Sequence, residues 1–231
     1  MNFYIITLFP EAIKTYLNSS ILKRAQEKKI VKFKLINLRK FGIGKYYKVD
    51  DRPFGGGPGM VIKIEPIFKA VLFCLGYKTK YDLEKIIKKG KINLKKIKPP
   101  KTRIILFSTR GKIFNQKTVK RLAKYENLIL ICGHYEGVDE RVAKHIADEE
   151  ISIGNFVLSG GEIPALLVID ALSRQLPGVL GKYESLEDIK GSYPTYSRPP
   201  VFLGWKVPEV LLSGNHQKIK EWRKSQGKKQ N

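Results

Sequence analysis

The stretch Ile151-Ser-Ile-Gly-Asn-Phe-Val-Leu-Ser-Gly-Gly-Glu-Ile-Pro164 contains an apolar strand candidate, a glycine-bearing turn and the start of a helix. Upstream, Cys132-Gly-His-Tyr-Glu-Gly-Val-Asp-Glu-Arg141 follows the apolar run 128–131 and has the same order. Strand, turn and helix in this order are typical of the pockets at the carboxyl ends of the strands in α/β proteins. Because glycine lets the backbone approach a ligand closely, we expect the two loops to lie side by side and to hold a ligand largely through backbone groups. Two ordinary strand-to-helix turns are the alternative.

The segments around these loops predict an α/β domain with a mostly parallel, doubly wound sheet. Residue periodicity predicts strands at 3–9, 30–38, 103–107, 127–131 and 151–153, and helices at 11–28, 65–75, 115–125, 138–147 and 162–176. Pro10 is expected to end the first strand. Ser108-Thr-Arg-Gly111 is expected to form the turn after the third strand, as a further pocket loop.

The overall charge indicates a polyanionic partner. The 231 residues include 44 Lys and Arg against 21 Asp and Glu, a net charge of +23, which is most simply explained by nucleic acid binding. Part of this lysine is also what a biased nucleotide composition would place on solvated faces. Met1 opens directly onto a strand, and no apolar run reaches the ~20 residues that span a bilayer, so we expect a cytoplasmic protein.

The cysteines and histidines predict no metal centre. Cys74 and Cys132 lie in apolar runs without the spacing of a metal-binding or redox pair, so we expect both to be buried, reduced thiols. The three histidines, His134, His145 and His216, are not clustered in the sequence, so we expect no structural zinc site.

The segment 39–60 is long and irregular, with aromatic residues, glycines, Asp50 and Arg52. Long loops in compact domains are usually functional or disordered, and this composition does not suit pure disorder. We expect a flap that orders on a ligand, and an ordinary surface loop is the alternative. It is not a phosphate-binding Walker loop, because that loop's pattern is absent.

Composition divides the chain into a domain at 1–181, a linker at 182–200 and a short helical region at 201–231. The lysine-rich segment 77–101 is expected to be an exposed insertion, and a helical turn is expected at 186–189. The last region ends in a basic helix that carries Trp222. Such a helix suits contact with RNA, and an ordinary surface helix is the equal alternative.

No serine, cysteine or histidine arrangement indicates a nucleophile, and no dinucleotide-binding glycine motif is present. What remains is Arg174 and three linker carboxylates, Glu184, Glu187 and Asp188. A carboxylate and an arginine suit removal of a weakly acidic N–H proton while negative charge develops on a neighbouring oxygen.

Six segments together carry a resemblance to a known family. They are Val49-Asp-Asp-Arg-Pro-Phe-Gly-Gly-Gly-Pro-Gly-Met60, Cys132-Gly-His-Tyr-Glu-Gly-Val-Asp-Glu-Arg141, Ser152-Ile-Gly-Asn-Phe-Val-Leu-Ser-Gly-Gly-Glu162, Pro177-Gly-Val-Leu-Gly181, Tyr196-Ser-Arg-Pro199 and Leu211-Leu-Ser-Gly-Asn-His216. In this order they resemble the bacterial tRNA (guanine-N1)-methyltransferases, the TrmD family of the SPOUT superfamily. The resemblance covers the chain from residue 1 to about 224.

The resemblance implies a sheet whose C-terminal part forms a trefoil knot, with S-adenosylmethionine bent inside it. It also implies a homodimer with active sites at the interface, a tRNA substrate with guanosine at position 37, and a role in keeping the reading frame. The implied donor pocket is Ser108, Gly133, Tyr135, Glu136, Ile153, Gly154, Asn155, Phe156, Val157, Leu158, Gly160, Gly161 and Pro164.

The resemblance also implies roles for single residues. Asp188 of one subunit would remove the N1 proton, with Glu187 and Glu184 as alternatives, and Arg174 would stabilise charge on the guanine oxygen. The substrate contacts would come from Asp50, Arg52, Gly59, Asn215 and His216. Glu136 would carry or orient a magnesium ion, or be a carboxylate that only accepts backbone hydrogen bonds.

Four positions depart from the family's usual residues: Asn155, Phe156, Thr109 and Tyr46. The family also continues beyond Arg223 into a fuller helical domain, which puts the grip on tRNA in question. Two other interpretations stay open. One is a knotted RNA methyltransferase that acts on ribose or another base, and the other is a protein that binds tRNA or S-adenosylmethionine without turnover.

Overall fold

The computed structural model describes residues 1–77, 94–180 and 192–227. The contacts between residues divide the chain into two units, Met1–Val179 and Leu180–Asn231. The predicted Asp188, Glu187 and Glu184, most of the proposed insertion and the helical turn at 186–189 lie outside the described residues.

The first unit is built on a five-stranded sheet in which every strand pair is parallel. Its strands are β1 (Asn2–Thr7), β2 (Lys32–Asn37), β5 (Thr102–Ile113), β6 (Asn127–Ile131) and β7 (Glu149–Ser152), and a separate antiparallel hairpin pairs β3 (Asp50–Asp51) with β4 (Val61–Ile62). The order across the sheet is β2-β1-β6-β5-β7. The parallel sheet predicted from the sequence is therefore confirmed.

Helices cover both faces of this sheet. They are α1 (Pro10–Leu17), α2 (Ser20–Glu27), α3 (Ile64–Cys74), α4 (Leu94–Ile97), α5 (Gln116–Leu122), α6 (Glu140–His145) and α7 (Glu162–Ser173), with a 3-10 helix at Leu38–Phe41. Strand residues alternate between two hydrophobic cores. Ile5 and Leu130 pack with α1, α2, α5 and α7, whereas Ile6 and Ile131 pack with α3, α4 and α6. The doubly wound architecture is thus confirmed.

The single helix predicted over 11–28 is wrong, because the chain forms α1 and α2 with a break between them. Pro10 does not only end the first strand; it is the first residue of α1, where a proline's missing N–H costs nothing. At the break, the Ser19 hydroxyl donates a hydrogen bond to the Tyr16 carbonyl, 2.7 Å away, and Ser20 has a φ of 44°. Serine and asparagine side chains compete with the helical backbone through such local hydrogen bonds. Here this competition outweighs the apolar periodicity that predicted one continuous helix.

The turn predicted at 108–111 is also wrong, because β5 continues to Ile113. The pairing of β5 with β7 shifts register between Phe107 and Lys112, so Ser108 to Gly111 form an irregularity within a long strand. A Cβ atom on Gly111 would lie 2.6 Å from the Ile151 backbone. The apolar pattern stops at Phe107 and so gave no sign that the pairing resumes.

The second unit contains a hairpin, β8 (Val201–Phe202) and β9 (Trp205–Lys206), followed by α8 (Glu209–Leu212) and α9 (His216–Gln226). The basic helix predicted near the C-terminus is confirmed as α9, and the hairpin was not predicted. In the described parts of the chain, none of the helices has the length and apolar character needed to pass through a membrane.

Candidate active site

A cavity of about 410 Å³ lies at the carboxyl ends of β5, β6 and β7. The residues predicted for the donor pocket that line it are Ser108, Gly133, Tyr135, Glu136, Ile153, Phe156, Val157, Leu158, Gly160, Gly161 and Pro164. Gly154 and Asn155 are not in the wall. Gly154 lies under the ring of Phe156, and Asn155 is exposed.

The loops after β6 and β7 touch, as the sequence predicted. The Gly161 N–H donates a hydrogen bond to the Gly133 carbonyl, 2.9 Å away. The backbones of His134 and Gly160 also pair as an isolated antiparallel β-bridge. A Cβ atom on Gly161 would lie 2.6 Å from the Cα of Cys132, so no larger residue fits without moving backbone. The backbone groups of both loops are therefore held together at one end of the sheet.

The flap is joined to the same loop through its C-terminal end. The Glu136 N–H donates to the Met60 carbonyl (3.0 Å), and the Ile62 N–H donates to the Gly137 carbonyl (2.9 Å). Gly59 has a φ of +72°, and a Cβ atom there would lie 2.5 Å from the Glu136 side chain. The structure therefore brings Gly59 against the cavity wall.

Two further residues of the flap were predicted to bind substrate. Asp50 lies opposite Ile62 in the β3–β4 hairpin and is half-buried. Arg52 is exposed, and its backbone N–H donates to the Asp51 carboxylate. The side chain of Lys63 also binds that carboxylate, and this hydrogen bond, followed by the one from Arg52, lowers the pKa of Asp51.

A buried carboxylate not predicted from the sequence lies beneath the loops. Glu162 begins α7, and its Oε1 atom accepts a hydrogen bond from the Thr7 hydroxyl (2.6 Å), which itself accepts one from the Phe9 N–H. Its Oε2 atom lies 3.9 Å from His134 Nδ1. Burial, and then the charge of Glu162, raise the pKa of Cys132 well above its usual value.

The cavity also has a charged end that the sequence analysis missed, formed by Arg110, Glu140 and Glu150. The Arg110 guanidinium donates to the Glu140 carboxylate, and this hydrogen bond raises the pKa of Arg110 and lowers that of Glu140. One signal could have found Glu150. Residues alternate between the faces of a strand, and Ile151 belongs to a hydrophobic core, so Glu150 has to face the other way.

Arg174, predicted to act on the guanine, also does not line the cavity. Arg174 is the C-cap of α7 and is half-buried, and the 12-residue helix between the two caps places it roughly 20 Å from Gly161. Asn215 and His216 belong to the second unit, where the Asn215 side chain accepts a hydrogen bond from the Lys218 N–H and caps α9. Neither is described relative to the cavity.

The magnesium site proposed at Glu136 has no ligand cluster in the part of the chain that the structure describes. Across residues 1–77, 94–180 and 192–227, no three His, Cys, Asp or Glu residues are grouped so that they could hold a metal ion.

The family model described as tRNA (Guanine-1)-methyltransferase TrmD matches residues 1–231. The chain belongs to this family. Membership implies S-adenosylmethionine as methyl donor and the family's trefoil knot.

Relatives named tRNA (guanine-N(1)-)-methyltransferase include that of Dehalococcoides mccartyi strain CBDB1, 46% identical over 98% of this chain and 85% of the relative. The protein of Clostridioides difficile strain 630 is 47% identical over 98% of this chain and 92% of the relative. The crystal structure of tRNA (m1G37) methyltransferase from Aquifex aeolicus matches with a TM-score of 0.72 and 43% identity, covering 96% of this chain and 87% of that one.

Proposed function

We propose that this chain transfers a methyl group from S-adenosylmethionine to the N1 atom of guanosine at position 37 of tRNA, and so supports maintenance of the reading frame. The observation that carries the proposal is the contact between the two glycine loops, Gly133 against Gly161, in a member of this family. The net charge of +23 supports a polyanionic substrate such as tRNA. We place the reaction in the cytoplasm, with the tRNA.

The cavity fits the methyl donor. Its volume of about 410 Å³ is within the range usual for small-molecule sites. Gly160 has a partly exposed backbone that suits the edge of adenine, and Tyr135 and Phe156 offer partly exposed rings for apolar contact. When bound, S-adenosylmethionine supplies a methyl group already activated on a sulfonium.

The chain's own residues handle the proton and the guanine. Asp188 takes the proton from N1, and Glu187 or Glu184 would do so if the linker aligns differently. Arg174 neutralises the charge that builds on the guanine oxygen. Asp50 and Arg52 hold the target guanosine, while Gly59 lets the flap close against Glu136. Positioning of the nitrogen opposite the methyl group contributes most of the rate.

The same helix that shapes the cavity supports a homodimer. On α7, Ile163 and Leu167 lie one turn apart and are 60% and 41% exposed, and Phe9 and Tyr16 are exposed on or beside the neighbouring α1. Exposed apolar surface of this kind marks an interaction site. Because Arg174 lies at the far end of α7 from the cavity, it would serve the cavity of a second copy, which gives active sites at the interface.

We assign the remaining parts by the same membership. Residues 1–181 form the donor-binding catalytic domain, 182–200 the linker that delivers Asp188, and 201–231 a region that contacts tRNA. Within the last region, Asn215 and His216 lie at the start of the basic helix α9 and are exposed, as residues that meet RNA have to be.

The test of the activity is transfer of labelled methyl to a tRNA transcript with guanosine at position 37, beside a matched transcript with adenosine there. We expect label only in the first, at N1 of the guanine. Asp188→Ala should abolish transfer, whereas Glu184→Ala, a matched change in the same linker, should retain it. Label at a ribose or at another base would overturn the assigned product. Binding of S-adenosylmethionine without transfer to either transcript would favour a binding protein instead.

The dimer is tested by Leu167→Glu, which places a charge on the exposed face of α7. We expect the molar mass in light scattering to fall to that of a monomer, and methyl transfer to be lost with it. Leu212→Glu is the matched control for the molar mass, which it should leave unchanged, since Leu212 is similarly exposed but belongs to the second unit. A wild-type protein that is monomeric at assay concentration and still active would contradict the shared site.

A further inference from the structure

A closed circuit of contacts lies beneath the two loops and includes the buried carboxylate of Glu162. The Thr7 hydroxyl donates to Glu162 Oε1 (2.6 Å), and the Phe9 N–H donates to the Thr7 hydroxyl (2.9 Å). The ring of Phe9 lies 4.9 Å from that of His134, and His134 Nδ1 lies 3.9 Å from the other carboxylate oxygen, Oε2. Thr7 and Glu162 are buried and do not line the cavity, so contact with a ligand does not account for this carboxylate.

His134 Nδ1 is the unsatisfied atom of this circuit. It is buried and has no hydrogen-bond partner among residues 1–77, 94–180 and 192–227. A neutral imidazole carries its proton on one nitrogen, and the other nitrogen is an acceptor. If Nδ1 were the acceptor, its lone pair would face the Glu162 carboxylate, and two acceptors would oppose each other away from water. With the proton on Nδ1, the same two atoms are a donor and an acceptor.

Gly160 leaves room for these two side chains to face each other. A Cβ atom on Gly160 would lie 2.4 Å from His134 Nδ1 and 2.4 Å from Glu162 Oε2. The φ of Gly160 is outside the left-handed region, so the backbone conformation does not require glycine there. The approach of the imidazole to the carboxylate therefore explains why this position has no side chain.

We propose that Glu162 is a positioning residue, which holds His134 in the tautomer with the proton on Nδ1 and thereby fixes the loop after β6. A shift of roughly 1 Å would bring the two atoms from 3.9 Å into the range of an N–H···O hydrogen bond. Glu162 lies in the first turn of α7, where the helix dipole stabilises a negative charge. The hydrogen bond made by one ring nitrogen of a histidine sets which nitrogen carries the proton. The consequence for the methyl donor rests on the proposed function, whereas the tautomer does not.

The experiment records which ring nitrogen of His134 is protonated. Long-range proton–nitrogen correlation spectra of isotope-labelled protein with S-adenosylhomocysteine bound, at a pH well above the ordinary histidine pKa of about 6.5, distinguish the two neutral tautomers. In wild type we expect the proton on Nδ1. In Glu162→Gln we expect it on Nε2, because the Thr7 hydroxyl retains the amide oxygen and so turns the amide NH2 group toward His134. His145 and His216 are exposed and serve as internal controls whose tautomers should not change.

Calorimetry and kinetics measure what this position contributes to the donor site. We expect Glu162→Gln to bind S-adenosylhomocysteine about tenfold more weakly, as for the loss of one charge-assisted hydrogen bond. In methyl transfer, the KM for S-adenosylmethionine should rise while kcat stays within about twofold, because Glu162 is buried beneath the loops and acts only through His134. Glu126→Gln is the matched control, since it removes the same charge from an exposed carboxylate paired with Lys101 and should change neither quantity.

A variant at Thr7 separates this role from a purely structural one. Thr7→Val removes the hydroxyl and keeps the carboxylate, so we expect a lower midpoint of urea denaturation and His134 still protonated on Nδ1. A proton that moves to Nε2 in Thr7→Val would assign the tautomer to the hydroxyl and overturn the role of Glu162. Wild-type His134 protonated on Nε2, or the same tautomer in wild type and Glu162→Gln, would overturn it as well.

The outcomes also separate this inference from the proposed function. If wild-type protein binds S-adenosylhomocysteine but transfers no methyl group to tRNA, the proposed function fails, and the spectra and the calorimetry still decide the role of Glu162. If methyl transfer to guanosine 37 is normal but wild-type His134 is protonated on Nε2, this inference fails alone.

Discussion

Glu149 and Glu150 are neighbours on β7, yet their surroundings differ completely. Glu149, near the amino end of the strand, accepts hydrogen bonds from Arg103 Nε (2.7 Å) and Arg121 Nη1 (3.0 Å). Beside it, Asp148 binds Lys98 and accepts a bond from the Ile104 N–H (2.8 Å). Glu150, one step nearer the cavity and on the opposite face, has no such partner among the described residues. The difference separates carboxylates that stabilise the fold through ion pairs from one that makes no such pair among the described residues.

The same contrast holds for the two ends of the whole sheet. At the amino ends, charges are matched in pairs. At the carboxyl ends, backbone is pressed against backbone at Gly161, and His134 Nδ1 is buried without a hydrogen-bond partner in the described part of the chain. Proteins depart from such local rules mainly where binding or catalysis requires it. This leads us to expect that substitutions at the two ends will affect different measurements.

The largest effect on binding should come from Gly161→Ala. The added Cβ would lie 2.6 Å from the Cα of Cys132, which is backbone and cannot turn aside. Overpacking of this kind costs about 1–3 kcal/mol, so we expect S-adenosylhomocysteine to bind about 5- to 150-fold more weakly by calorimetry. Gly227→Ala is the control, because its new Cβ would make only an ordinary contact at 3.4 Å. Wild-type affinity in Gly161→Ala would show that the two loops need not be in contact.

The sharpest test of the comparison is a pair of variants, Glu149→Gln and Glu150→Gln. Glu149→Gln leaves two arginines without their carboxylate, and we expect the free energy of unfolding at pH 7 to fall by about 2 kcal/mol. Glu150→Gln removes an uncompensated buried charge and should leave this free energy unchanged or raise it. Urea denaturation measures both. Equal losses in the two variants would mean that Glu150 stabilises the fold in the same way as Glu149.

The pH dependence of Glu149 follows from its partners. Burial by itself would raise the pKa of Glu149, but hydrogen bonds from Arg121 and Arg103 outweigh it, and the pKa lies below the ordinary 4.5. A carboxyl group with a lowered folded-state pKa stabilises the protein above its unfolded pKa and loses this contribution as the pH falls through the folded value. The difference in stability between wild type and Glu149→Gln should therefore shrink below about pH 4.5. A constant difference down to acid pH would contradict this origin.

How far the sequence predicted this arrangement depended on the kind of signal. Apolar periodicity located the parallel strands and most helices, and glycine within motifs located the two loops that meet at Gly133 and Gly161. Most of the donor-pocket residues that the family resemblance implied lie in the cavity wall. Apolar periodicity alone could not have predicted them. Their roles stay predictions, Asp188 above all.

The features missed from the sequence depend on contacts between distant residues. The break before Ser20 and the continuation of β5 past Phe107 are decided by local hydrogen bonds and by β7, neither of which an apolar pattern records. Glu162 and Thr7 are 155 residues apart, so their bond has no local signature. Glu149 and Glu150 look alike in the sequence, and only the strand direction and the neighbouring helices separate them.

The smallest expected effect concerns Cys132, which lies directly under Gly161 at the carboxyl end of β6. Burial raises the pKa of this thiol, and burial also raises that of Cys74 to about 12, so both stay protonated at pH 8 and react poorly with alkylating reagents, which need the thiolate. In a Cys74→Ser background we expect iodoacetamide to label Cys132 no faster than the protein unfolds globally, with or without S-adenosylhomocysteine. Labelling of Cys132 that outpaces global unfolding and is slowed by the ligand would mean that the loops open on their own. The carboxyl end of the sheet would then be a mobile site that a ligand closes, and not the preformed cavity described above.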